Sequence, residues 1–180
     1  MKPSVKIASI HLAGVVDTIL TPGNISFQDF FKKAESAIAE TEKAEMQLRA
    51  VSTNLTDADL KDTLRYTEAV KSLLRELNTQ SRHRLAASNY QEYAAEQEAE
   101  KNSDNEFLAR SARDRWIKHL KQAKAEHENA KTRERGMAAW VTYVDGFLPY
   151  IAYKYGDDAT PSRQKLQQLG AKYEALARQP

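Results

Sequence analysis

The stretch from Asp104 to Leu148 carries a heptad-like repeat that constrains the fold more than any other part of the chain. Alternating steps of four and three residues connect one seam of mainly apolar and small side chains: Ala109, Arg113, Trp116, Leu120, Ala123, His127, Ala130, Glu134, Met137, Val141, Val144 and Leu148. A seam that stays in phase this long is typical of a helix with one buried stripe. At about 1.5 Å per residue this helix would be roughly 60–70 Å long.

Two earlier helices are predicted from their start signals. Ser26 and Thr56 are good N-cap residues, and each is followed three residues later by an aspartate. Ser103 and Thr160 are expected to cap later helices in the same way, while Pro149 is expected to kink or interrupt the chain. The predicted helices span 4–20, 26–52, 56–101, 104–148 and 161–178.

The charge pattern predicts that the third and fourth helices form a hairpin. Six acidic residues and one lysine lie between Glu92 and Glu106, whereas six basic residues and one aspartate lie between Arg110 and Lys124. A reversal near Ser103 would place the acidic arm alongside the basic arm and select an antiparallel arrangement. We therefore predict an all-α antiparallel helical bundle of about five helices with a long two-helix hairpin, as a single domain over 1–180.

The composition limits the classes of function. With 27 Lys and Arg against 25 Asp and Glu, the net charge is only +2, which disfavours binding to nucleic acid or anionic membranes through a global field. The chain has no cysteine, so thiolate catalysis and cysteine-based zinc sites are excluded. The most apolar window, Val5–Leu20, contains charged residues and is short for a membrane span. We expect it to be a buried helix, with no transmembrane span and a cytoplasmic location.

No motif predicts catalysis. His127 and Glu134 share the seam, but paired Glu-x-x-His units are absent, so we interpret both residues as polar breaks that fix helix register. Glu42 and Glu45 form an isolated acidic pair, and no glycine-rich phosphate loop follows a strand pattern. The sequence therefore predicts neither an enzyme nor a bound cofactor or metal.

The main candidate for a partner site is a second apolar stripe beside the seam, formed by Trp140, Tyr143, Phe147 and Tyr150. A helix that is apolar on two faces is expected to be covered on both. The covers available within the chain are the first and last helices. The same aromatic residues could instead line a groove for a partner helix.

A second candidate is the basic arm, represented by Arg110, Arg115 and Lys118. Pairing with the acidic arm is the structural interpretation of these residues, and phosphate binding is the functional one.

The order Ser26-Phe27, a helix, Asp59-Leu60, a second helix and Tyr90-Gln91-Glu92 loosely resembles the flagellar rod–basal-body adaptor family of type III export. The resemblance covers residues 26–92, and the spacing between Arg82 and Tyr90 differs from the family's. It implies a helical component of an export apparatus.

The leading hypothesis is a non-enzymatic helical interaction or scaffold protein that contacts partner proteins, or copies of itself, by helix–helix packing. The first alternative is a structural component of a secretion apparatus or phage particle. The second is a nucleic-acid-binding helical protein that uses the basic arm at 110–124.

Overall fold

The computed structural model describes residues 2–21, 23, 25–51, 56–154 and 156–180, with side chains from Val5 onward. Ninety per cent of the chain is helical, in five helices and with no strand among these residues, which confirms the predicted fold class. The helices are α1 (Lys2–Leu20), α2 (Phe27–Ala50), α3 (Asp57–Glu100), α4 (Glu106–Lys154) and α5 (Thr160–Arg178). None of the described helices combines the length and hydropathy that crossing a membrane requires.

The starts of α2 and α3 follow the predicted capping chemistry. The Ser26 hydroxyl oxygen accepts a hydrogen bond from the backbone N–H of Asp29 at 3.1 Å. Thr56 accepts one from the N–H of Asp59 at 3.2 Å. These bonds satisfy a backbone N–H that would otherwise be free at the helix start. In each case the hydroxyl also donates to the aspartate carboxylate, whose negative charge lies at the positive end of the helix dipole.

The caps predicted for α4 and α5 are wrong by one or two residues. At α4, the side chain of Asn105 accepts from the N–H of Leu108 at 3.3 Å, while Ser103 accepts only from Asn105 in the preceding turn. At α5, the helix begins at Thr160 and the N-cap residue is Ala159, which makes no side-chain capping bond. The carboxylate of Asp158 accepts from the N–H of Thr160 at 2.9 Å, and this backbone bond lowers the pKa of Asp158. Several side chains in these polar turns can cap, and local sequence does not select among them.

Pro149 was expected to kink or interrupt the chain, and it does not interrupt α4. The helix continues to Lys154 with Pro149 inside it. Because Ile151 and Ala152 beyond the proline are buried in the core, packing offsets the hydrogen bond that proline cannot donate. The chain turns at Gly156, which adopts a positive φ of 67° and follows a Schellman pattern of backbone hydrogen bonds.

The chain contains two compact units, and α3 and α4 each contribute residues to both. Unit 1 comprises residues 1–78 and 134–180. Its core takes buried side chains from all five helices, and the largest fully buried ones include Tyr66, Leu73, Leu74, Leu77, Met137, Ile151, Leu166 and Leu169. Gly170 of α5 allows a close approach to α4, since a Cβ there would lie 3.3 Å from Val141.

Unit 2 comprises residues 79–133, in which α3 and α4 run antiparallel. His83 contacts Glu126 near one end, and Lys101 lies 3.9 Å from the ring centre of Trp116 near the other. Its buried apolar residues are alanines: Ala87, Ala94, Ala109, Ala112, Ala123 and Ala130. Small residues let two helices approach closely but bury little apolar surface.

The seam predicted for α4 needs correction in unit 2. Arg113 and Leu120, which were expected on the buried face, are exposed, and Leu120 is 42% exposed. Ala112 is fully buried instead, and the side chain of His119 packs against α3. The predicted seam positions Ala109, Ala123 and Ala130 are buried, so the correction applies to the positions between them, where Ala112 and His119 replace Arg113 and Leu120.

Candidate protein-docking surface

The four aromatic residues predicted as a partner site form a continuous row of rings on α4. Successive ring centroids, from Trp140 to Tyr143, Phe147 and Tyr150, lie 6.5, 6.2 and 6.3 Å apart. These separations are within the range of favourable aromatic contacts. We call this row the aromatic stripe.

The aromatic stripe is partly open to solvent, although both apolar faces of this segment were expected to be covered. Trp140 is 36% exposed, Tyr143 46% and Tyr150 50%. The buried seam of the same helix segment is Met137, Val141, Val144 and Leu148, so the other face carries the stripe. Large rings that remain exposed beside a packed core are typical of protein-interaction surfaces.

Phe147 anchors the middle of the stripe to the core. Its ring is stacked on Tyr66, with centroids 6.3 Å apart and an interplanar angle of 12°. Tyr66 is fully buried, and its hydroxyl is hydrogen-bonded to Ser9 at 2.6 Å. Burial raises the pKa of Tyr66 to about 12, so that this phenol stays neutral across the physiological range. The stripe therefore rests on a rigid, satisfied contact between α1, α3 and α4.

The far end of the stripe is held by charges on α3 and α4. The hydroxyl of Tyr150 donates to the carboxylate of Asp62 at 3.1 Å. Lys154 forms an ion pair with Asp59 at 2.5 Å and lies 5.0 Å from the ring centre of Tyr150. Hydrogen bonding to Asp59 raises the pKa of Lys154, so that the lysine remains charged. Tyr150 is thus oriented by its neighbours while half of its surface remains open.

A groove of about 490 Å³ runs between α3 and α4 beside the first two rings of the stripe. Its lining residues are Arg65, Glu68, Ala69, Ser72, Ala139, Trp140 and Tyr143. The small side chains of Ala69, Ser72 and Ala139 leave the space, and the two large rings border it. Ala69 is buried, so the groove reaches the edge of the core.

The two charged residues at the groove differ in their partners. Glu68 is paired with Lys71 at 2.7 Å and lies 3.7 Å from Arg75. Arg65 lies 6.0 Å from the ring centre of Phe147 and has no acidic partner in the described part of the chain. An occupant of the groove would therefore meet an uncompensated positive charge at Arg65.

An ion cluster behind the groove connects α2 with α3. Lys71, which is 7% exposed, lies 2.7 Å from the carboxylates of both Glu45 and Glu68. Burial alone would raise the pKa of Glu45, but hydrogen bonds from Lys71 and Arg49 outweigh it and hold that pKa below its usual value. Burial would likewise lower the pKa of Lys71, and hydrogen bonds to its two carboxylates raise it instead. Glu42 pairs with Arg75 at 2.7 Å, so both acids of the predicted acidic pair serve as partners of cations.

The lowered pKa of Glu45 predicts a loss of stability in acid. The ionised carboxylate stabilises the fold at pH values above the usual 4.5, and this contribution is lost as the pH falls through the lower pKa of the folded state. We expect the wild type to unfold at higher urea concentration than Glu45→Gln at pH 7. The difference should shrink as the pH falls below 4.5. A difference that stays constant down to pH 3 would contradict the assignment.

The three basic residues predicted as a second partner site lie in unit 2. Arg115 donates to Gln97 at 2.6 Å and pairs with Glu100 at 3.3 Å, as expected if the acidic arm neutralises the basic arm. Arg110 and Lys118 are exposed and form no ion pair within the described ranges. The expected neutralisation therefore holds for Arg115 but not for these two residues.

Sequence reasoning missed Arg65, Ala69 and Ser72, the α3 side of the groove. The predicted hairpin could have identified them, because a reversal near Ser103 places these residues opposite the stretch around Trp140.

Among the described residues, no group of three or more His, Asp or Glu side chains is arranged to hold a metal ion.

No protein-family model, curated protein or solved structure matches this chain. The resemblance to the flagellar adaptor family therefore stays one of sequence pattern.

Proposed function

We propose that this protein is a non-enzymatic interaction protein whose aromatic stripe and adjoining groove receive an amphipathic helix of a partner protein. The observation that carries the proposal is the exposure of Trp140, Tyr143 and Tyr150 next to a groove between two antiparallel helices. Aromatic side chains dominate binding energy at interfaces because they bury large areas with few rotatable bonds. A groove between helices is also the usual site for a third, amphipathic helix.

The charge of the groove narrows the choice of partner. Arg65 has no acidic partner among the described residues and lies at the rim, so the bound helix should place an acidic residue there. The rings of Trp140 and Tyr143 should contact apolar side chains spaced by three or four residues on that helix. A structural component of a secretion apparatus or phage particle could use the same surface, and its neighbours would have to supply such a helix.

The nucleic-acid alternative has some support from Arg110 and Lys118, which are exposed and unpaired within the described ranges. Trp116 is partly buried, and Lys101 lies 3.9 Å from its ring centre, so that one face of this ring is already occupied. Leu120 and Ile117 are exposed among the same cations, and apolar side chains favour a protein partner over phosphate. We therefore favour docking of a protein helix.

The test uses helical peptides selected from a displayed library of amphipathic sequences for binding to the full chain. Trp140→Ala should weaken the selected peptides by about 30-fold, because interface tryptophans commonly contribute 2 kcal/mol or more. Tyr153→Ala is the matched control. It removes a more exposed ring, at 86%, from the same helix but outside the groove, and should change binding less than threefold.

A second readout places the peptide on the stripe directly. In a Trp116→Phe background, Trp140 is the only tryptophan, and its fluorescence should shift to shorter wavelength as a bound helix excludes water. Selected peptides should also carry an acidic residue. Replacing that residue should weaken binding to the wild type but not to a variant that lacks Arg65. Peptides that bind equally well to wild type and Trp140→Ala, without a fluorescence shift, would refute the proposal.

A further inference from the structure

The exposed face of α4 in unit 2 combines apolar side chains with unpaired cations. Ile117 is 43% exposed and Leu120 is 42% exposed. Arg113, Lys121 and Lys124 surround them, are themselves exposed, and form no ion pair within the part of the chain that the structure describes. A solvated helix face has no need for this apolar pair, which is suited to contact with another protein surface.

The exposed face of α3 in unit 2 has the complementary character. Glu92 and Glu96 are exposed and have no cationic partner among the described residues. Ala95 and Ala99 lie between and beside them and are also exposed. This surface offers negative charge together with room for larger apolar side chains.

Both faces reach the same side of the hairpin. The contact between Arg84 and His127, at 3.0 Å, identifies that side on each helix. Helical steps of three and four residues from these two positions lead to Ser88, Gln91, Ala95 and Ala99 on α3, and to Lys124, Leu120, Ile117 and Arg113 on α4. The opposite side is occupied by packed rings, where Tyr90 and Tyr93 contact His119.

We propose that a second copy of this chain docks on this side of unit 2, with α4 of each copy lying against α3 of the other. Gln97 contacts Arg115 and Tyr90 contacts His119. Glu92 and Glu96 therefore lie at the same height along the hairpin axis as the stretch 113–121 of α4. A two-fold rotation about an axis parallel to the helices leaves the height of every residue along that axis unchanged. It brings the two carboxylates of each copy to the cations of the other, and the apolar pair to the alanines. The interface is isologous and closes as a dimer.

This dimer is independent of the groove in unit 1. It also accounts for features that a nucleic-acid surface would not require. Glu92 and Glu96 would repel phosphates, whereas they are the counter-charges that a second copy needs. Ile117 and Leu120 would stay exposed on a phosphate backbone and become buried in the dimer.

The test is sedimentation equilibrium of the full chain at low and at high salt. We expect a dimer whose dissociation constant rises with salt, since its charge pairs are screened. The double variant Arg113→Glu with Lys121→Glu, and separately Glu92→Lys with Glu96→Lys, should each weaken the dimer by about tenfold or more. The chain that carries all four changes should recover the wild-type affinity, because each charge meets its opposite again.

The control is Lys32→Glu with Lys43→Glu, which changes net charge equally at exposed positions of α2 and should leave the dimer intact. Circular dichroism reports whether each variant keeps its helices. A chain that is monomeric at low salt, or a dimer that ignores both reversals, overturns the proposal. A monomer that binds duplex DNA and loses that binding with the reversals of Arg113 and Lys121 overturns it in favour of nucleic acid.

Discussion

Tyr66→Ala is expected to lower the free energy of unfolding of unit 1 by about 3–5 kcal/mol, the usual cost of truncating a buried aromatic residue to alanine. The side chain is fully buried, so its removal leaves a cavity in the core. The substitution also removes the ring on which Phe147 stacks and the hydroxyl that Ser9 contacts. Urea denaturation followed by circular dichroism measures the loss, and the melting temperature should fall by on the order of 10 °C.

The conservative change Tyr66→Phe separates the hydroxyl from the ring. It keeps the stack on Phe147 but leaves the hydroxyl of Ser9 without its partner, and should cost about 0.5–1.5 kcal/mol. Adding Ser9→Ala to Tyr66→Phe should then cost little more, because the hydrogen bond is already lost. If Tyr66→Ala cost no more than Tyr66→Phe, the ring would not be the support of the aromatic stripe that its packing indicates.

Tyr66 also shows where sequence reasoning reaches its limit. The apolar residues of α3 predicted an amphipathic helix, and its core includes Val70, Leu74 and Leu77 as expected. Tyr66 was not among the predicted core residues, because a buried phenol needs a hydrogen-bond partner. That partner is Ser9, on a different helix and 57 positions away in sequence. Pairings over this distance leave no mark on local periodicity.

The same limit separates the helix starts, which local sequence predicts, from the side chains that face a neighbouring helix, which it does not. The caps at Ser26 and Thr56 depend on atoms within one turn and were predicted correctly. On α4, the positions Ala109, Trp116 and Ala123 fit two heptad patterns, which differ in whether position 119 or 120 lies beside them. Only the position of α3 decides between the two patterns, and α3 contacts His119.

Packing also overrode the local rule at Pro149. Proline is expected to break a helix because it lacks an N–H group and crowds the preceding turn. In α4 the residues that follow are buried, and their packing keeps the helix intact to Lys154. The aromatic stripe depends on this continuation, since Tyr150 would otherwise lie outside the helix that aligns it with Phe147.

Lys71→Met is expected to destabilise unit 1 by about 1–3 kcal/mol, the cost of leaving a poorly solvated polar group without its partner. The substitution keeps most of the side-chain volume and removes the amine that contacts Glu45 and Glu68. The side chain of Glu68 is 56% exposed and can be solvated, whereas that of Glu45 is only 13% exposed. Most of the cost should therefore come from the carboxylate of Glu45.

Two further variants test this account by urea denaturation at pH 7. Arg75→Met removes a cation from the exposed pair with Glu42 and should cost less than about 1 kcal/mol, since water solvates both groups. Adding Glu45→Gln to Lys71→Met should recover part of the lost stability, because the carboxylate that lost its lysine is no longer charged. The account would be wrong if Arg75→Met cost as much as Lys71→Met, or if the added glutamine made the protein less stable still. In either case the unpaired carboxylate of Glu45 would not be the source of the lost stability.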